Sequence, residues 1–283
     1  MSDPETLSTE LSRAFERLRE ALSLKRIASE AEVWLYGLSR LEDAEGRLAT
    51  VQKRLWSLAD WKDQGPIEPM KGPEVDEAVR SYATTETEYH YHELALFALA
   101  QPLLEGLAVA VLGDSASTRP PGSTARHPLH WPELMVRLEA HGGEALARAR
   151  EVEVRLLFGR DRLVAHAAPH HISVRQMDGD GAIVRTGRVA LASEERLAAE
   201  PSLRELNESL AAEDRSSETN LGEIARDLIG HAAILDAEQR KLLGAALLDL
   251  GFEVPLRDAC RSLIGFVEAL PALLADPRWS GPV

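Results

Sequence analysis

An all-α helical bundle is the fold class this sequence predicts, on three observations. Alanine, leucine, glutamate and arginine dominate the composition, and aromatic residues make up only 5% of the 283 positions. Over most of the chain the apolar residues recur at helical rather than strand spacing. The length suffices for one large domain or two small ones, with a core that needs no covalent staples.

The elements follow in order. Leu7, Leu11, Phe15 and Leu18 mark an amphipathic helix over about 6–23, with Ser8 or Thr9 as its cap. Ile27, Ala31, Trp34, Leu38, Leu41, Leu48, Val51, Leu55 and Leu58 form the stripe of a longer helix that Gly65-Pro66 stops. Glu45 and Gln52 interrupt a strict heptad there, so a long bundle helix is expected ahead of a coiled-coil dimer arm. Residues 64–73, with three prolines and two glycines, are a loop. A third helix is expected from Pro73 to about Leu112, kinked near Pro102, and 113–132 is the longest irregular region. Helix resumes at Pro132, breaks at Gly142-Gly143, and restarts from Glu144 to Phe158.

After Pro169 the period changes from 3.6 to 2. Ile172–Gln176 and Ala182–Arg185 flank Asp178-Gly179-Asp180-Gly181, which predicts one short β-hairpin insertion near 172–185. Helices are expected again over 193–212, 220–233, 236–250 and 255–275, with Asp236 as an N-cap and Gly251 as a stop. Residues 213–219 divide a main bundle, 1–212, from a C-terminal helical segment, 213–283, that packs on the same core or stands beside it. No internal repeat is present.

Charge and cysteine usage narrow the function classes. A net charge of -14 argues against coating nucleic acid by electrostatics alone, because phosphate binding needs a positive surface. A local exception lies between residues 148 and 162, where Arg148, Arg150, Arg155, Arg160 and Arg162 outnumber Glu151, Glu153 and Asp161. Cys260 is the single cysteine, so neither an internal disulfide nor a thiolate metal cage can form. The N-terminus lacks the features of a signal peptide, and the longest apolar stretch, Leu94–Leu112, is interrupted by Gln101, Pro102 and Glu105. A cytoplasmic protein without a membrane partner is the expectation.

The segment with chemical content is Gly159-Arg160-Asp161-Arg162-Leu163-Val164-Ala165-His166. An imidazole titrates near neutrality and can give or take a proton, while a guanidinium stays charged and grips phosphate with a planar fork. Metal-free RNA cleavage needs both, one to move the proton of the 2′-hydroxyl or the leaving oxygen and one to stabilise the phosphorane. On an unbroken helix Arg160 and His166 would lie about 240° apart, whereas Arg162 and His166 would be neighbours. Either Gly159 turns Arg160 inward or Arg162 is the working cation; Asp161 suits an orienting or capping role.

The string Arg160-Asp161-Arg162-Leu163-Val164-Ala165-His166 resembles the motif of HEPN domains, closest to abortive-infection-like members. The resemblance implies a helical bundle, a homodimer that brings two motifs together, and metal-independent endoribonuclease activity in prokaryotic defence or toxin–antitoxin systems, with an antitoxin or defence protein as partner. Arg160 and His166 would be the catalytic pair, Asp161 in the polar slot, and no cofactor is expected. The chain departs from the family in Ala167-Ala168, where the defence-type strings carry an acidic residue, and lacks the nearby tyrosine of the nucleotidylated toxin branch. Family members that have lost activity serve as binding modules, which gives the second reading: a silent module for a partner protein or nucleotide. Around the motif, Arg155, His170 and His171 are candidates to touch substrate, the two histidines alternatively being turn residues.

A competing chemistry sits in Glu86-Thr87-Glu88-Tyr89-His90-Tyr91-His92-Glu93. Carboxylates and imidazoles suit zinc, iron or manganese, so Glu88, His90 and His92 define a metal-dependent bundle enzyme as the third reading. It requires a ligand from a second helix, for which His127, His130 and His141 are the candidates.

Overall fold

The computed structural model describes residues 6–24, 29–58, 73–113, 130–158, 171–177, 183–190, 229–250 and 256–279. Its helices are α1 (Leu7–Ala21), α2 (Ser29–Leu58), α3 (Pro73–Ala98), α4 (Ala100–Leu112), α5 (His130–His141), α6 (Glu144–Val152), α7 (Ala237–Leu250) and α8 (Leu256–Ala275). A π-helical turn, Glu153–Leu157, continues α6. The described part of the chain is predominantly helical, in agreement with the predicted class. His171–Met177 (β1) and Ile183–Ala190 (β2) run as an antiparallel pair, with His171 opposite Ala190 and a register irregularity after Gln176.

α8 is apolar around most of its circumference. Leu256, Ala259, Cys260, Leu263, Phe266, Val267 and Leu270 are all buried, as expected of a helix enclosed by others. α1 and α6 pack against it, and α2 packs on α1, α3 and α4. The C-terminal segment therefore shares one core with the N-terminal helices. The expected divide at 213–219 lies outside the described residues. Burial also pushes the Cys260 thiol up, so it stays protonated and acts as a small apolar side chain.

Polar residues on the inner faces of these helices tie the bundle together. Glu45, which breaks the heptad of α2, is buried and accepts from Arg257 of α8 through both carboxylate oxygens, at 3.1 and 2.6 Å. Glu42, one turn earlier on α2, accepts the Leu7 N–H at 2.7 Å and caps α1. The side-chain cap of α1 is Thr6, which accepts from Thr9 N–H, rather than Ser8 or Thr9.

Two boundaries move from where the sequence puts them. The kink expected at Pro102 appears as a break at Leu99, because a proline removes the bond to the carbonyl four residues back and crowds that turn. Close to the break the Trp34 indole N–H donates to the Leu96 carbonyl at 3.0 Å. There a Cβ on Gly37 would stand 3.0 Å from Leu96, so α2 and α3 approach closely at that point. α5 starts at His130 rather than Pro132, since Glu105 of α4 accepts the His130 and Trp131 N–H groups at 2.6 and 3.3 Å.

The helical run Pro73–Leu112 is long and apolar enough to cross a membrane by length and composition, a span longer than the interrupted stretch read from the sequence. In the bundle its apolar face has a protein partner. Leu96, Phe97, Leu103, Leu104, Leu107 and Val111 are buried in the common core.

Candidate functional site

The helix that leads into the Arg160–His166 string is irregular at its end. α6 gives way to a π turn in which the Phe158 N–H bonds to the Glu153 carbonyl, five residues back. Such turns hold one residue more than an α-helix would, and rotate everything that follows by about 100° relative to an α continuation. They are uncommon and concentrate at functional positions. Val154 and Leu156 are both buried, and at i and i+2 they pack the turn on two sides.

Beneath the turn lies a network of charged side chains. Arg240 of α7 is almost fully buried and donates to Glu153 at 2.6 Å, to Glu139 at 3.1 Å and to the Leu235 carbonyl at 2.9 Å. Arg150 of α6 also pairs with Glu139, and donates to the Ala233 carbonyl at 3.4 Å. Burial alone would raise the Glu139 pKa, but the hydrogen bonds and charges of Arg150 and Arg240 outweigh it and hold the carboxyl below the usual range. The arrangement alternates in sign, in the order Arg150, Glu139, Arg240, Glu153, and it spans α5, α6, the π turn and α7.

α7 enters this network through a capping box. Gln239 N–H donates to Asp236 Oδ1 at 2.9 Å and Asp236 N–H donates back to Gln239 Oε1 at 3.0 Å. Arg240 follows at once, and Leu243 and Gly244 lie on the same face at i+3 and i+4. Gly244 faces the ring of Phe158 so closely that a Cβ there would stand 2.9 Å from it.

Of the sequence-predicted site residues, Arg160, Asp161, Arg162, His166 and His170 lie outside the described residues. His171 is the first residue of β1. Arg155 sits within the π turn, half-buried, with its Nε enclosed and no hydrogen-bond partner for that atom among the described residues. The arginine surplus expected around 148–162 is partly engaged: Arg148 pairs with Glu144 and Glu151, and Arg150 with Glu139.

On α3 the alternative metal residues form a ladder along one helix. His90 faces Glu86 through Nε2 at 3.9 Å and Glu93 through Nδ1 at 3.2 Å, so the two carboxylates address different ring nitrogens. His92 Nε2 is 3.7 Å from Glu88, which also takes a 2.6 Å bond from Arg47 of α2. That bond is the main reason the Glu88 carboxyl sits below its usual range. The proposed second-helix histidines are engaged elsewhere, His130 beside Glu105 and His141 beside Asp276, while His127 lies outside the described residues. Among the described residues no group of three or more His, Cys, Asp or Glu could hold a metal ion.

Sequence reasoning missed Arg240, Glu139 and Glu153. The available signal was weak: Arg240 stands on the apolar face of α7, three and four residues before Leu243 and Gly244. Nothing in the spacing tells which acid, about 90 to 100 residues earlier, it meets.

No family model matches the chain, and no curated protein and no solved structure matches it. The likeness to HEPN domains rests on the seven-residue string alone.

Proposed function

We propose that the chain is a metal-independent endoribonuclease of a prokaryotic defence or toxin–antitoxin type, a HEPN-like bundle with a β-hairpin insertion that acts as a homodimer. The observation that carries this reading is the Arg160-Asp161-Arg162-Leu163-Val164-Ala165-His166 string itself, directly after a helix that ends in a π turn. In this mechanism His166 moves the proton of the 2′-hydroxyl or of the departing 5′-oxygen, while Arg160 or Arg162 holds the phosphate as its charge grows. Asp161 orients the working guanidinium, and Arg155, His170 and His171 extend the surface toward RNA. No step requires a metal.

The test is cleavage of total RNA and tRNA by the purified protein in excess EDTA, wild type against His166→Ala. Wild type is expected to leave 2′,3′-cyclic phosphate ends, and the variant to lose at least about 100-fold in rate, the effect of removing a general acid or base. Equal cleavage by both proteins would overturn the reading.

A second reading, a silent module that binds a partner protein or nucleotide, is favoured by the net charge of -14 and by the acids that already occupy Arg148 and Arg150. Intact RNA bound without cleavage, or a captured partner, would put that reading first. The third reading, a metal enzyme on α3, draws no support from the ladder: the carboxylates beside His90 address different ring nitrogens, and His92 meets Glu88 alone among the described carboxylates.

A further inference from the structure

α7 grips the π turn at both of its ends. At the first residue Arg240 donates to Glu153 at 2.6 Å, and just past the last residue the ring of Phe158 lies over Gly244. Between these contacts stand the only five described residues in π geometry, and after Phe158 comes Gly159, the start of the motif.

A π turn is less favourable than the α-helix it replaces and persists where its surroundings hold it. If it relaxed to α geometry, every position after it would rotate by about 100° about the helix axis. Phe158 would leave its place over Gly244, and the backbone would enter Gly159 in another direction. The choice between the two registers falls to the groups that hold the ends of the turn. Arg240 suits this role because it is buried, so its bonds are not exchanged for water, and because Glu139 and the Leu235 carbonyl fix the guanidinium in one orientation. Gly244 suits it because any side chain there would displace the Phe158 ring.

We infer that α7 sets the π register of residues 153–157, with Arg240 and Gly244 as positioning residues for the motif that follows. The catalytic consequence rests on the ribonuclease reading; the register itself does not. α7 is thereby more than core: it couples the C-terminal part of the chain to the segment that carries the chemistry. Anything that shifts α7 would turn the entry to the motif.

The experiment is amide hydrogen exchange over peptides covering 150–158 in the full chain. The proteins compared are wild type, Arg240→Ala, Arg240→Lys, Gly244→Ala and the control Arg137→Ala, whose pair with Glu133 lies within α5. Charge-assisted bonds of this kind hold exchange back by more than tenfold. Arg240→Ala is therefore expected to exchange at least about tenfold faster at 153–158, by a larger factor than the amides of α1 and α2, which follow only the change in global stability. Arg240→Lys, which keeps the charge without the fork, is expected to fall between, and Arg137→Ala to match wild type. Gly244→Ala serves where Arg240→Ala does not fold, and is expected to show the same local acceleration.

RNA cleavage in EDTA is read on the same proteins. If wild type cuts, kcat is expected to fall in Arg240→Ala and Gly244→Ala with KM kept, and to recover in part in Arg240→Lys. If wild type does not cut, the ribonuclease reading fails while the exchange result still decides the register. Unchanged exchange at 153–158 in folded Arg240→Ala and Gly244→Ala would overturn the inference.

Discussion

At the base of the π turn the Arg240 side chain is 5% exposed between Glu139 and Glu153, whereas the Arg47 side chain that meets Glu88 of α3 is 51% exposed. Both clusters contain an Arg–Glu pair with a 2.6 Å bond, Arg240 on Glu153 and Arg47 on Glu88. Their environments differ. An exposed pair exchanges its partner for water at little cost, and salt screens it. A buried pair cannot, so losing one member leaves an uncompensated charge where water does not reach. The network under the π turn therefore fixes the position of the elements that meet there, and the Arg47–Glu88 pair beside α3 is the solvated one. Closeness of charges in a sequence is a poor guide to which of these a cluster will become.

The largest effect that could break this comparison is that of Arg240→Ala. It strands Glu153 and leaves Glu139 to Arg150 alone, and because those two carboxylates are 22% and 33% exposed the expected loss is about 1.5–3 kcal/mol of unfolding free energy, measured by urea denaturation. A loss no larger than that of an exposed pair would mean the network is hydrated and the contrast with α3 false. Next in size comes Glu105→Gln, which keeps an acceptor for the His130 and Trp131 N–H groups but removes the negative charge at the α5 N-terminus. About 0.5–1 kcal/mol is expected, the range for a charge at a helix end.

How much of this could be read in advance depends on the range of the interaction. Local signals served: the Asp236 cap, the Gly142-Gly143 break and the stripe of α2 all follow from chain neighbours. Where the deciding partner came from another helix, the reading slipped. α5 begins two residues earlier than Pro132 suggests because Glu105 caps it from α4, and Glu45 looked like a flaw in a heptad until Arg257 met it from α8. The π turn left no mark, since Glu153–Leu157 has ordinary helical composition and the extra residue is accommodated by α7. As for the candidate site, the motif was legible as residues, while the network beneath it required the fold.

Acid sharpens the same contrast. The folded-state pKa of Glu139 lies below the ordinary value, so the stability it contributes is complete above the unfolded glutamate pKa of about 4.3 and is lost as the pH falls through the depressed value. Asp276, held down to about 2 chiefly by the hydrogen bond from Arg278, adds a loss at still lower pH. The unfolding free energy of wild type is expected to fall from about pH 4 downward. In folded Arg240→Ala that slope is expected to be shallower, because one of the groups that depresses Glu139 is gone. Parallel curves would mean that Arg240 contributes nothing to the Glu139 shift.

The smallest expected effect belongs to the α3 ladder, and it is a test by absence of change. Arg47→Ala removes the cation that sits on Glu88, leaving His92 as its remaining partner among the pairs on that face. If the ladder were a metal site screened by Arg47, this variant would bind zinc better than wild type. The geometry argues otherwise: an ion at His90 Nδ1 could take Glu93 but not Glu86, which faces Nε2 across the ring, and Glu88 belongs to His92 instead. Two ligands from one helix turn do not hold zinc without a third. Dialysis of wild type and Arg47→Ala against zinc, followed by metal analysis, is therefore expected to leave no zinc in proportion to protein, with unfolding midpoints unchanged. Stoichiometric zinc lost on His92→Ala would move the chemistry of this chain from the segment after the π turn to α3.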